Sequence, residues 1–187
     1  MVELSPARTW ALTPSLGEVQ ATALRAARGA GYPWGLAQDC GWAARWLWRY
    51  GIDGLTPLAA VLETPGPCPV TLGARWMDAP DVPCVAEVRA PVLLIPFLSG
   101  RDCHLMAETG AVSLRGGAPV LGALPEIGLQ RIEITGQPEA GRPLRIASRR
   151  SAPGEVWKRL KRLEARTYAP ASDASRAGAG AGLTDND

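Results

Sequence analysis

At 187 residues the chain has the size of one domain, long enough to bury roughly 70% of its unfolded surface without disulfide or metal staples. A formal net charge of +2 speaks against a dedicated nucleic-acid binder, which neutralises phosphates with clustered excess basic charge. The longest apolar stretch, Val92 to Leu98, is broken by Pro96 and too short to span a bilayer, so no membrane partner is expected.

Residues 1–14 read as an extended leader without the basic start and apolar run of a secretory signal. Ser15 opens a helix, because Ser15 and Glu18 form a capping box in which each side chain satisfies a backbone N–H that the first turn leaves unpaired. Leu16, Val19, Ala23 and Ala27 follow at helical spacing, and their small size lets a neighbouring helix approach closely. Gly29 and Gly31 stop this helix. After the turn Tyr32-Pro33-Trp34-Gly35, a second helix runs to about Tyr50, with Leu36, Cys40, Ala43 and Leu47 on one face and Trp42 and Trp46 on another. A third, shorter helix covers Leu55 to Leu62. Pro65, Pro67 and Pro69 then start a linker.

From Val70 to Ala147 short apolar or alternating runs are punctuated by Gly and Pro. Strands are expected at 70–76, 84–89, 92–98, 102–108, 111–115, 129–135 and 143–148, with turns at Gly116-Gly117 and Gly141. With no helices between them they predict an antiparallel sheet. Ser151 to Arg166 predicts a last helix, with Pro153 and Glu155 at its start and Val156, Leu160 and Leu163 as its apolar stripe. The expected architecture is α+β in a single domain, 1–187. It comprises an N-terminal helical pair or triplet (15–64), a mostly antiparallel β-rich part (70–148), a helix (151–166) and a Gly/Ala-rich tail (167–187), ordered or disordered.

The four cysteines, at 40, 68, 84 and 103, form no Cys-x-x-Cys pair, and there is one histidine. Neither a structural zinc site nor a disulfide framework is expected, and reduced thiols point to the cytoplasm. That histidine, His104, lies in Arg101-Asp-Cys-His-Leu-Met-Ala-Glu108. On a strand, Asp102, His104, Met106 and Glu108 share a face, a set able to hold a metal or run acid–base chemistry. The spacing is generic, and a solvated or internally satisfied face is the favoured reading. Four tryptophans fall within fifteen positions, at 34, 42, 46 and 48. One helix cannot bury all four on one stripe, so core packing and a binding rim are both open. Arg149 to Arg166 holds seven basic and two acidic residues, either a solvated face or a surface for an anionic partner. In the tail, glycines at 178, 180 and 182 permit an anion-cradling backbone nest, and Asp185 and Asp187 offer oxygens for a hard cation; composition alone reads as disorder.

Two stretches carry a resemblance. The first is Ala26-Ala-Arg-Gly-Ala-Gly-Tyr-Pro-Trp-Gly-Leu-Ala-Gln-Asp-Cys-Gly-Trp-Ala-Ala-Arg-Trp-Leu47 with Gly51-Ile-Asp-Gly54. The second is Thr167-Tyr-Ala-Pro-Ala-Ser-Asp-Ala-Ser-Arg176 with Gly178 to Asp187. Together they resemble a family of bacterial proteins catalogued only as a domain of unknown function, the one numbered 3726. The resemblance implies that the tail is a recurring family element, and it brings no activity, cofactor or catalytic residue. Cys40 and Trp42 fall where more ordinary helix residues are expected.

Two functional readings follow. In the first, favoured by the scarcity of catalytic side chains, the protein is a non-catalytic accessory or subunit of a metabolic enzyme complex, with a protein partner or a homo-oligomer as its assembly. In the second it binds or transforms a small carboxylate or phosphate in a pocket between the Trp-rich helix and the sheet, with the tail as lid. The side chains singled out for ligand or partner binding are Tyr32, Trp34, Asp39, Arg45, His104, Glu108, Tyr168, Ser172, Arg176 and Asp185. Arg45 and Arg176 suit an anion because guanidinium pairs such groups bidentately. The sequence identifies no cofactor.

Overall fold

A computed structural model describes residues 12–79, 84–147 and 150–168. The architecture is α+β: among the described residues, helices come first, a five-stranded antiparallel sheet follows, and a helix closes the order.

The capping box forms as the sequence predicts. Ser15 N donates to Glu18 Oε2 at 2.8 Å and Glu18 N to Ser15 Oγ at 3.2 Å, opening α1 (Leu16–Gly29). Helix α2 (Trp34–Arg49) packs across α1 through small residues. Ala23, Ala26 and Ala27 of α1 and Ala37, Ala43 and Ala44 of α2 are fully buried. At Gly41 a methyl group would lie 2.8 Å from the Gln20 carbonyl oxygen, so the crossing is as close as backbone allows. Helix α3 (Leu55–Glu63) follows Asp53, whose carboxylate accepts from Leu55 N and Thr56 N at 3.0 and 3.2 Å.

The helical layer extends further than the sequence suggests. Residues 70–76, expected as a strand, lie in α4 (Pro69–Asp78). Val70 and Thr71 have strand-like branching, but the buried positions Val70, Gly73 and Trp76 repeat every three residues, and Pro69 takes the first helical position, where its missing N–H costs nothing. Pro69 therefore begins a helix rather than extending a linker. Residues 92–98, also expected as a strand, form a 3₁₀ turn (Pro91–Leu94) and the short helix α5 (Ile95–Leu98). Every residue from Pro91 to Leu98 is buried, and an unbroken apolar run fits a buried helix as well as a buried strand. Ala90 enters this turn at φ 52°, held by its N–H donating to the carbonyls of Ile127 and Gly128. Residues 143–147 are irregular, pinned by Leu144 N to Pro119 O at 2.7 Å and Ala147 N to Arg49 O at 2.8 Å.

The sheet order is β1-β5-β2-β3-β4, from β1 (Cys84–Arg89), β2 (Cys103–Ala107), β3 (Gly110–Arg115), β4 (Ala118–Leu121) and β5 (Leu129–Thr135). Gly116 and Gly117, both at positive φ, make the β3–β4 turn. Val88, Ile132, Ile134, Leu105, Val112 and Leu114 lie on the inner face and join the helical residues in one apolar cluster.

Helix α6 (Gly154–Ala165) buries Val156, Leu160 and Leu163, the expected stripe, at roughly 1.5–3 kcal/mol each. It docks on the C-terminal half of α1. A methyl group at Gly29 would sit 1.8 Å from the Leu163 carbonyl oxygen, so this contact requires glycine. On its polar side Arg159 pairs with Glu63 of α3, and Lys158 with Glu155 at 2.8 Å. Much of the basic stretch is thus spent on internal ion pairs.

Candidate functional site

The α1–α6 contact creates a cleft of about 530 Å³, lined by Leu24, Arg25 and Arg28 from α1, Trp34 from the start of α2, and Arg166, Thr167 and Tyr168 after α6. Arg25 and Arg28 come to one face because residues three apart on a helix are neighbours. The α6 terminus presents Arg166 to Tyr168 through a closing turn. There Arg166 N donates to Leu163 O at 3.1 Å, Thr167 N to Glu164 O at 2.9 Å and Tyr168 N to Ala165 O at 3.3 Å.

Glu164, only 2% exposed, ties the cleft together. Its Oε1 accepts from Arg25 Nη1 and from the Tyr168 hydroxyl, both at 2.8 Å. Lys161 Nζ stands 2.7 Å from Oε2, at ion-pair distance. Burial pushes the Glu164 carboxyl up, yet Lys161, Arg25 and Tyr168 together outweigh it and hold the group below the ordinary carboxylate range. Glu164 therefore stays ionised and fixes both a guanidinium and a phenol. Arg28 is held separately: its Nη1 donates to the Tyr32 carbonyl at 2.7 Å, and its Cζ lies 5.7 Å from the centre of the Trp34 ring. Among the described residues no carboxylate lines the cleft and three arginines do, Arg25 being paired with Glu164 behind it.

The side chains singled out from sequence do not all meet. Trp34 and Tyr168 lie on the cleft. Tyr32 contributes its carbonyl to Arg28, while its hydroxyl donates to Cys68 Sγ at 3.5 Å; burial, then Cys68, pushes the phenol up. Asp39 is half-buried, and burial followed by the Asp78 charge raises its carboxyl. Arg45 donates to Gln20 Oε1 at 2.9 Å and, with Trp42, Trp46 and Arg49, lines a separate groove of about 230 Å³. Ser172, Arg176 and Asp185 lie outside the described residues.

The expected Asp102, His104, Glu108 face is not assembled. Asp102 precedes β2 and accepts from Gly116 N at 2.7 Å, and Glu108 sits in the hairpin turn, accepting from Arg131 N at 3.3 Å. His104 is buried, with Nδ1 2.8 Å from Ser113 Oγ and Nε2 3.9 Å from Glu139 Oε1. Ser113 Oγ also accepts from Glu139 N at 2.8 Å, so the segment after β5 covers the imidazole. Among the described residues no group of three or more His, Cys, Asp and Glu is placed to hold a metal ion. None of their helices is long and apolar enough to cross a membrane.

Arg25, Arg28 and Arg166 were not singled out from the sequence. Arginines three apart on the polar side of a helix look like a solvated surface. The only local signal is adjacency: Arg28 stands just before the Tyr32-Pro33-Trp34 turn, and Arg166 just before Tyr168.

No curated protein and no solved structure matches the chain. A family model does match residues 14–91, which include the first of the two resembling stretches and the Arg25, Arg28 and Trp34 side of the cleft; the second stretch and the α6 side lie beyond it. That family model is described as Protein of unknown function (DUF3726).

Proposed function

We propose that the protein binds a small anionic molecule, a carboxylate or a phosphate, in the arginine cleft between α1, the start of α2 and the end of α6. The observation that carries this reading is the convergence of Arg25, Arg28 and Arg166 on about 530 Å³ of space that no carboxylate lines among the described residues. The volume falls in the usual range of small-ligand sites. Guanidinium groups pair planar anions through two parallel hydrogen bonds, and two of the three are already positioned, Arg25 by Glu164 and Arg28 by the Tyr32 carbonyl and Trp34. A lid formed by the chain after Tyr168, the role expected of Ser172, Arg176 and Asp185, belongs to this proposal. Deleting residues 177–187 is then expected to remove ligand-induced stabilisation while the fold persists.

Thermal unfolding with and without inorganic phosphate and citrate tests the reading. The expected result is a saturable rise in Tm for the full chain that Arg166→Gln weakens about 10- to 100-fold in apparent affinity, the loss of one charge-assisted pair. No rise with either anion, or an equal rise in the variant, refutes it.

A second reading, the accessory subunit, has its own observation. Trp42 links the groove of Arg45, Trp46 and Arg49 to a neighbouring one of about 250 Å³ lined by Trp76, Met77, Phe97 and Arg101. Aromatic rings with an arginine rim suit an acidic protein segment bearing apolar side chains. Recovery of the native protein alone and monomeric at cellular concentration contradicts this reading.

A further inference from the structure

Beyond helping to place Arg28 and Glu164, the aromatic side chains of the cleft offer exposed ring faces that a bare anion does not use. Trp34 is 59% exposed and Tyr168 60% exposed, an unusual placement for two large rings beside one cavity. Both are held rather than free. The Tyr168 hydroxyl is tied to the buried Glu164 at 2.8 Å, and the Arg28 guanidinium stands over the Trp34 ring at 5.7 Å. A cation over one face of an indole leaves the other face open. Leu24 adds apolar wall. A compact anion such as phosphate engages the guanidinium groups and leaves these surfaces wet.

Resting on the anion reading, we infer that the ligand carries a planar aromatic ring beside its anionic group, the ring stacking on Trp34 or Tyr168 while the anion meets Arg25, Arg28 and Arg166. Stacking on an aromatic side chain is tolerant of ring type, because every ring offers a π-face. The ligand class is therefore an aryl or heteroaryl phosphate or carboxylate. Pre-fixed rings lose little conformational freedom when the ligand arrives, so the stacking gain is retained in the affinity.

Matched probes on the full chain test this by calorimetric titration: adenosine 5′-monophosphate against ribose 5-phosphate, and phenyl phosphate against inorganic phosphate. Within each pair only the ring differs. The ring-bearing member is expected to bind about tenfold tighter or more. Trp34→Ala combined with Tyr168→Leu is expected to bring the ratio within each pair to about one, any loss common to both members cancelling in the ratio, and Trp34→Phe with native Tyr168 to retain it. Arg166→Gln is expected to weaken all four probes together. Equal affinities within both pairs, or a ratio that survives the double aromatic substitution, overturn the inference while leaving the anion reading intact. If none of the four binds and citrate gives no rise in Tm either, the anion reading itself fails.

Discussion

Replacing Gly29 with alanine puts the link between packing and cleft to a direct test. Gly29 is the last residue of α1 and touches α6 backbone: the added methyl group would meet the Leu163 carbonyl oxygen at 1.8 Å and its carbon at 2.7 Å. The first distance is about half an ordinary carbon–oxygen contact. Backbone cannot rotate away as a side chain can, so the helices must separate. Overpacking of this kind costs about 1–3 kcal/mol, and a clash with backbone belongs at the upper end. Alanine returns about 0.5–1 kcal/mol of helix preference, leaving a loss of about 2 kcal/mol, or roughly 4–8 °C in Tm for a chain of this size. The same carbonyl accepts Arg166 N at 3.1 Å, so displacing it disturbs the turn that presents Arg166, Thr167 and Tyr168. Circular-dichroism melting and phosphate titration should therefore fall together. Gly35→Ala is the control, since nothing lies within 4 Å of a methyl group there and its Tm is expected within about 1 °C of the native protein or slightly above. A Gly29→Ala protein as stable as Gly35→Ala, with unaltered phosphate binding, refutes the argument.

Glu164→Gln is expected to lose about 1–2 kcal/mol at neutral pH, read as a lower Tm. The loss stays modest because the Arg25 and Lys161 side chains are 49% and 46% exposed and recover water. Since Glu164 titrates below its ordinary value of 4.5, its contribution is fully present above that value and fades as pH falls through the lowered range. The gap in Tm between native and variant should therefore close in acid, and a gap that widens would contradict the assignment. Iodoacetamide at about pH 8 is expected to alkylate Cys68 and Cys84 well before Cys40 and Cys103. The latter pair is buried, and burial pushes both thiols up, Cys103 to about 11; peptide mass mapping reads the order. His104→Ala should lower Tm without changing phosphate affinity, because the imidazole is enclosed with Ser113 and Glu139, on the sheet rather than in the cleft. Loss of binding in that variant would move the site to the sheet.

Local chemistry made the terminal helices legible. The Ser15–Glu18 box, the Val156, Leu160, Leu163 stripe and the Gly116-Gly117 turn each depend on residues close in sequence, and each stands where its pattern puts it. The central segments resisted the same treatment. At Val92 to Leu98 every position is apolar, so period carries no information, and only the choice of neighbours makes it helical. Strand β4 escaped notice because Ala118-Pro119-Val120-Leu121 is short and contains a proline, which is tolerated there because β4 is an edge strand. The site divides in the same way. Trp34 and Tyr168 stand out as aromatic residues beside turns, whereas Arg25, Arg28 and Arg166 become a cluster only through a helix contact between residues 29 and 163. A buried glutamate at 164 gives no sign of itself in a helix otherwise rich in surface charge.

In the proposed function Arg25, Arg28 and Arg166 act together on an anion. Two-dimensional NMR of the arginine Nε–H groups during an inorganic phosphate titration reads this residue by residue. The resonances of these three are expected to shift along one saturating isotherm while those of Arg45 and Arg49, on the separate α2 groove, stay still. Shifts confined to Arg45 and Arg49, or uniform non-saturating shifts across all arginines, would contradict it.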